Sequence, residues 1–177
     1  MAWKILHCKL PIGSRLKCIM VNPINCPFCK KSEDMRHIFW GCSFAKKLWN
    51  SVFHYLPAIF WHNLNWKEAL LGVGLRNNVI AESVRQTILL HIWRVRCKAA
   101  FGNSYDHQEF AILNLFSDIF YCLASIFTHL QADSRKSSTT TYQVQCIQHQ
   151  VVQLIKNQQN GLLHSLQPLI QILINCN

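Results

Sequence analysis

The chain has 177 residues, of which 50% are hydrophobic, and it carries a formal net charge of +10 at pH 7. This length suits one ordinary domain or two small ones, and the hydrophobic residues are numerous enough to form a buried core. The positive charge fits a polyanionic partner, most often nucleic acid, although basic surfaces also occur simply as solvated faces. The first 50 residues hold nine of the 18 lysines and arginines against two acidic residues, so the charge is concentrated there.

The cysteines favour a reducing compartment. There are nine, an odd number, and the N-terminus lacks the apolar run that a secretory signal peptide needs. Six of them show no spacing typical of a disulfide framework: Cys8, Cys18, Cys97, Cys122, Cys146 and Cys176. We therefore expect an intracellular protein, nuclear or cytoplasmic.

The first 25 residues predict two short helical stretches. Residues 3–8 are amphipathic, and Pro11 ends that stretch. Ser14 can cap a second short helix that extends to about Met20. The pair Asn22-Pro23 then turns the chain.

The next stretch, residues 26–42, contains the pattern Cys26-x2-Cys29-x7-His37-x4-Cys42. Three thiols and one imidazole are the ligands of a closed tetrahedral zinc site, whose ligand atoms should converge to within about 4 Å of one another. Two alternatives are a Cys-x-x-Cys redox pair and cysteines that are simply buried. A redox pair does not require His37 and Cys42 at ligand spacing, and no strand-then-helix pattern precedes it. The pattern therefore predicts a structural Zn²⁺ site without an open position for catalysis.

Two helices are predicted around these ligands. Ser32 can cap the first, with Glu33 and Asp34 in its first turn and Gly41 at its end. Ser43 can cap the second, which extends over residues 44–55 and places one apolar face inward: Phe44, Leu48, Val52 and Tyr55. Five basic side chains surround the predicted metal and are candidates for phosphate contacts: Lys30, Lys31, Arg36, Lys46 and Lys47.

Three further helices are predicted downstream. A short one covers about residues 66–71, within a mixed linker. Apolar residues at helical spacing predict another over 79–101, namely Ile80, Val84, Ile88, Ile92 and Val95. Arg94 and Arg96 near its end could contact phosphate, but exposed charges close to a helix end are the commoner explanation. A third over 106–131 has a seam for one partner helix: Ile112, Phe116, Ile119, Leu123, Ile126 and Leu130. Asp118 near its centre argues against a membrane span.

Beyond residue 133 the sequence predicts little order. Residues 134–141 read SRKSSTTT, which is typical of a flexible polar linker. The last 36 residues are rich in glutamine, leucine and isoleucine and carry few charges. They form a tail to which no function is assigned.

Short motifs before and around the metal ligands are similar to those of one family. They are Trp3-Lys4-Ile5-Leu6, Leu10-Pro11, Arg15-Leu16, Cys26-Pro27-Phe28-Cys29 and the run from His37 to Ala45, closed by Trp49. Together they resemble the zinc-binding domain of reverse transcriptases, which lies downstream of the polymerase in non-LTR retrotransposons of plants and fungi. The sequence departs from the family pattern at three positions: Ile12, Gly41 and Ser43.

The resemblance covers about the first 55 residues. Family members usually begin with a further basic, helical stretch before the tryptophan, so the resemblance implies an N-terminally truncated copy. Residues 92–101 are similar to a Trp-x-x-Arg-x-x-x-x-Phe segment that often follows in such proteins.

The predicted fold is mainly α. It consists of a zinc-binding domain (1–56), a linker with a short helix (57–78), a helical hairpin (79–133) and a flexible linker with a glutamine-rich, poorly ordered tail (134–177). Motifs for two-metal phosphoryl transfer, metalloproteases, serine hydrolases and Walker-type nucleotide binding are absent from the sequence, so we expect no enzyme. Polymerase or ribonuclease H activity would then lie outside this chain.

Two functional hypotheses remain open. In the first, the domain binds RNA or DNA through its basic surface. In the second, it is a structural or interaction module that docks a neighbouring polymerase or ribonuclease H domain, and zinc replaces a core too small to be stable alone. Salt-dependent binding to nucleic acid distinguishes the two.

Overall fold

The structure is a computed structural model and describes residues 4–5, 7–16, 25–55, 64–73, 79–101, 108–132 and 149. Most of these residues are helical and none of them lies in a β-strand, which confirms the predicted mainly-α fold. The elements in chain order are α1 (Gly13–Leu16), a π-helical turn (His37–Gly41), α2 (Ser43–Tyr55), α3 (Trp66–Leu71), α4 (Val79–Phe101) and α5 (Gln108–Ala132).

Helices α4 and α5 pack against each other along their apolar faces. On α4 the predicted repeat is buried at Ile80, Val84, Ile88 and Ile92, whereas Val95 is half-buried. On α5 the contact is wider than a two-helix seam, since Leu115 and Phe120 are buried beside the predicted Phe116, Ile119 and Leu123. Besides α4, α5 also contacts α2.

The short helix α3 is capped at both ends. The side chain of Asn65 accepts hydrogen bonds from the backbone N–H groups of Lys67 and Glu68, and Glu68 binds back to the Asn65 N–H, which forms a capping box. At the other end Gly72 adopts φ 71°, a left-handed conformation that favours glycine. A Cβ there would lie 2.6 Å from the carboxylate of Glu82, so the position also lacks room for a side chain.

The π-helical turn and α2 pack on α4 and continue the same hydrophobic core. Phe39 in the turn is fully buried, and its ring stacks on Trp93 of α4 with centroids 6.3 Å apart. The turn that carries His37 and the end of the motif therefore packs directly on α4.

The expectation that Arg96 is an exposed charge near the end of α4 is wrong. Its side chain is fully buried and pairs with Glu33, which is buried as well. Arg94 is exposed, as expected, and lies 3.9 Å from the carboxylate of Asp118. Periodicity did not indicate the burial of Arg96, because its partner charge, Glu33, comes from a distant segment of the chain.

Several predicted features fall outside the described residues. These include most of the linker 57–78 and, apart from His149, the segment 134–177. The domain boundaries therefore stay predictions. Among the helices that the structure describes, none combines the length and the apolar character that a bilayer crossing requires.

Candidate metal centre

The first two thiols of the motif lie in a tight turn. The Lys30 N–H donates to the carbonyl of Cys26 at 2.8 Å, and the Cys26 N–H donates to the carbonyl of Lys31 at 2.9 Å. Closing this turn places Lys30 at φ 62°, in the left-handed region that lysine rarely adopts. The backbone N–H groups of Phe28 and Cys29 point at the Cys26 sulfur, where they stabilise negative charge.

His37 stands at the start of the π-helical turn, and the prediction that Ser32 caps its helix is wrong. The side chain of Asp34 accepts a hydrogen bond from the His37 N–H at 2.6 Å, whereas Ser32 is exposed. The turn closes with a bond of 2.7 Å from the Cys42 N–H to the His37 carbonyl. This i→i+5 geometry brings the third and fourth ligands together across one wide turn.

Cys42 is also the N-cap of α2, so the prediction that Ser43 caps this helix is one residue late. Its carbonyl accepts the first helical bond from the Lys46 N–H at 2.9 Å, and its backbone is extended at φ −66°, ψ 141°. The N–H groups of Phe44 and Ala45 point at its sulfur. A thiolate at this position accepts from unpaired helix N–H groups and lies at the positive end of the helix dipole.

The four predicted ligands converge on one point. The Sγ atoms of Cys26 and Cys42 are 3.6 Å apart, those of Cys29 and Cys42 are 4.0 Å apart, and Cys29 Sγ lies 3.1 Å from Nε2 of His37. All four ligand atoms lie within 4.8 Å of one another. For zinc–sulfur bonds of about 2.3 Å, a tetrahedron separates its sulfur corners by about 3.8 Å. The cluster therefore has the dimensions of a tetrahedral Cys3His site.

The buried pair Cys26 and Cys42 shares a proton unequally. The hydrogen bond between the two sulfurs, together with burial, raises the pKa of Cys26 to about 12. The same bond lowers the pKa of Cys42 to about 7, and the α2 N–H groups act in the same direction against burial. Cys42 is thus the thiolate of the pair, and a metal ion must displace the proton of Cys26.

We expect zinc affinity to fall as the pH is lowered from about 8 to about 6, because metal and protons compete for the same thiolates. The fall should steepen below about pH 7, where Cys42 also becomes protonated and a further proton must be displaced. Competition titrations against a chromophoric chelator at several pH values measure this dependence, and calorimetry in two buffers measures the released protons. An affinity independent of pH would contradict the thiolate assignment.

The five predicted nucleic-acid contacts are all exposed: Lys30, Lys31, Arg36, Lys46 and Lys47. The first two lie at the tip of the Cys26–Cys29 turn. Lys46 and Lys47 lie on the face of α2 opposite the buried Phe44 and Leu48. The guanidinium of Arg36 lies over the ring of Trp66, 5.1 Å from its centroid. Their role in binding stays a prediction.

Two features beside the metal centre were not predicted. One is the burial of Glu33, which was expected in the first turn of a helix and is only 1% exposed. The other is an open cavity of ≈ 570 Å³ beside the motif, lined in part by Arg15, Met35, Arg36, Trp66 and Leu70. Sequence patterns carry no signal for this cavity, because three separate segments form it.

Among the residues that the structure describes, no second group of histidine, cysteine or acidic side chains is arranged to hold a metal ion. Residues 1–49, which include all four ligands, match the family model described as zinc-binding in reverse transcriptase. No match was found among curated proteins or among solved structures. That family is a zinc-binding accessory domain and not the catalytic core of the enzyme. The family match and the Cys3His cluster together show that the N-terminal part of this chain fits the zinc-binding domain of reverse transcriptases.

Proposed function

We propose that residues 1–56 form a structural zinc domain of a retrotransposon-derived reverse transcriptase and that this domain binds RNA or DNA. The observation that carries the proposal is the convergence of four ligand atoms within 4.8 Å inside the segment that matches the family. Three thiolates and an imidazole in a tetrahedron favour Zn²⁺ over ions that prefer oxygen ligands. Four protein ligands leave no position for a water or substrate, so the ion stabilises the fold and the domain is not catalytic.

Charge around the metal supports a nucleic-acid partner. The tip of the Cys26–Cys29 turn and the outer face of α2 each present two lysines to solvent, and Arg36 adds a third position. Such groups bind phosphates of any sequence and lose affinity as salt increases. The partly exposed Trp66 beneath Arg36 adds an aromatic surface of the kind on which unpaired bases stack.

The test uses the full, zinc-loaded chain and a single-stranded RNA at two salt concentrations. We expect the double change Lys30→Asn with Lys31→Gln to weaken binding and to reduce the log–log salt slope by about 1.4, or about 0.7 for each lost phosphate contact. Asparagine replaces Lys30 because it tolerates the left-handed backbone there. The matched control is Arg94→Gln with Lys98→Gln, which removes two exposed charges from α4 and should leave the slope unchanged.

The second candidate function is docking of a neighbouring polymerase or ribonuclease H domain. Exposed apolar side chains on the α4–α5 pair favour it, since Leu90 is 36% and Tyr121 is 53% exposed. Wild-type protein that binds no nucleic acid at low salt would contradict the first function and favour this one. Equal slopes for wild type and the Lys30, Lys31 variant would exclude these lysines as phosphate contacts.

The cysteines support a nuclear or cytoplasmic location for this protein. The six in the part of the chain that the structure describes are all free of disulfides: Cys8, Cys26, Cys29, Cys42, Cys97 and Cys122. Thiols persist in reducing compartments, and a Cys3His site requires its cysteines in reduced form.

A further inference from the structure

A buried ion pair joins the metal motif to α4. Both carboxylate oxygens of Glu33 accept from the guanidinium of Arg96, with one bond of 2.9 Å from Nε to Oε1 and a second from Nη2 to Oε2. Neither side chain is exposed to solvent. We propose that Arg96 is a positioning residue for the metal centre: through Glu33 it holds the segment between Cys29 and His37 in the conformation that brings their ligand atoms together.

Apart from Met35 at its end, which is partly buried against the core, this segment has one buried side chain. Glu33 is the one buried residue among Lys30 to Asp34, all of which the structure describes, and the other four are exposed. A loop without buried apolar side chains is fixed only by its polar contacts. The conformation of residues 30–34 therefore depends on the contacts of Glu33.

Glu33 lies between two hydrogen bonds that set the positions of the ligands. On one side the carbonyl of Lys31 accepts from the Cys26 N–H, and on the other the carboxylate of Asp34 accepts from the His37 N–H. A shift of Glu33 would move both acceptors, because each is within two residues of it. The ion pair thus acts on both halves of the ligand set.

The same pair also fixes the chain that precedes the motif. Glu33 accepts from the Gly13 N–H at 2.8 Å, its carbonyl accepts from the Ser14 N–H at 3.1 Å, and Arg96 donates to the carbonyl of Pro11. Three segments distant in sequence meet at one guanidinium. Burial acts to lower the pKa of Arg96, but the hydrogen bonds and charge of Glu33 outweigh it and raise the pKa, so the guanidinium stays charged.

The test measures zinc affinity of the full chain by competition with a chromophoric chelator, together with the visible spectrum of bound Co²⁺ and far-UV circular dichroism. We expect Arg96→Gln and Glu33→Gln each to weaken zinc binding by about 10- to 100-fold, the usual effect of losing a residue that orients metal ligands. The double variant should weaken it no more than either single variant, because the two residues act as one unit.

Arg85→Gln is the matched control. Like Arg96, Arg85 is fully buried on α4 and ion-paired. Its partners are Glu82 and the carbonyls of Ala69 and Leu70, which lie outside the metal motif. Arg85→Gln should lower the stability of the protein yet change its zinc affinity by less than about threefold. If Arg96 had a purely structural role, Arg85→Gln and Arg96→Gln would change zinc affinity to a similar extent. Arg96→Lys, which keeps the charge without the two-pronged geometry, provides a milder variant with an expected intermediate affinity.

The inference rests on the proposed zinc site, and the outcomes separate the two. Failure of the wild-type chain to bind zinc overturns both. Wild-type zinc affinity in Arg96→Gln or in Arg96→Lys overturns only the positioning role. So does a fold-loss of zinc affinity in the double variant that equals the product of the two single fold-losses, because independent effects multiply. Weakening in both Arg96 variants and in Glu33→Gln, with Arg85→Gln near wild type, supports it.

Discussion

Replacing Cys42 by serine is expected to abolish stoichiometric zinc binding and to destabilise the N-terminal part of the chain by on the order of several kcal/mol. The reason is that the binding free energy of structural zinc, about 10–16 kcal/mol in zinc-finger peptides, is coupled to folding. Serine isolates this effect, because it is a preferred N-cap residue and preserves the capping of α2 while it removes the thiolate. The readouts are zinc content per chain and thermal unfolding with and without a chelator.

The control for this experiment is Cys122→Ser on α5, a half-buried thiol outside the cluster. We expect it to retain zinc and to respond to the chelator as the wild type does. A Cys42→Ser protein that keeps one zinc ion per chain would show that the four ligands do not act together.

Replacing Trp49 by alanine is expected to cost about 3–5 kcal/mol of stability, the usual range for truncating a fully buried aromatic side chain. Trp49 is 1% exposed, and its rings lie 5.6 Å from those of both Trp40 and Phe53. Its indole N–H donates to the carbonyl of Phe39 at 2.8 Å. Phe39 lies in the turn between His37 and Cys42, so this bond stabilises the turn that carries these two predicted ligands.

Trp49→Phe separates the two contributions, since it keeps most of the apolar volume and leaves the Phe39 carbonyl without this donor. We expect it to cost about 1–3 kcal/mol, the penalty for an unsatisfied buried polar group. Urea denaturation of both variants measures these changes, with the exposed Tyr121→Ala as a control expected within about 0.5 kcal/mol of wild type. If Trp49→Ala lowered the free energy of unfolding by less than about 1 kcal/mol, the packing of α2 against the π-helical turn would not stabilise the fold as we expect.

The ligand set and the three downstream helices could be predicted because their signals are local. Metal-binding cysteine and histidine residues follow a short spacing rule, and the apolar repeat of α4 identifies one face of a helix from its own residues. The bounds of α3 and α4 agree with the predicted ranges 66–71 and 79–101. The four ligands themselves span only residues 26–42, so their convergence depends on one loop and one turn.

The helix caps were predicted less well, because capping residues compete within a few positions. Ser32 and Ser43 are good N-caps by type, but Asp34 and Cys42 occupy the sites. In both cases the observed cap lies at a predicted metal ligand, since Asp34 binds the His37 N–H and Cys42 is itself one of the four. A generic capping preference of about 1 kcal/mol is small beside the free energy of a zinc site.

The partnership of Glu33 with Arg96 could not be predicted, since 63 residues separate the two side chains. Each has a local explanation that is usually correct: an acidic residue in a first helical turn and a basic residue near a helix end. Only the tertiary structure brings the opposite charges together in the core. The Arg96 variants described above test how far the metal motif depends on this contact with α4.

X-ray absorption at the zinc edge of the purified full-length chain tests the metal site most directly. Our assignment predicts one zinc ion per chain with three sulfur ligands at about 2.3 Å and one nitrogen ligand at about 2.0 Å. Two results would contradict a site formed by Cys26, Cys29, His37 and Cys42. One is protein that was supplied with zinc during expression and purification but contains no bound metal, and the other is a coordination shell dominated by oxygen and nitrogen.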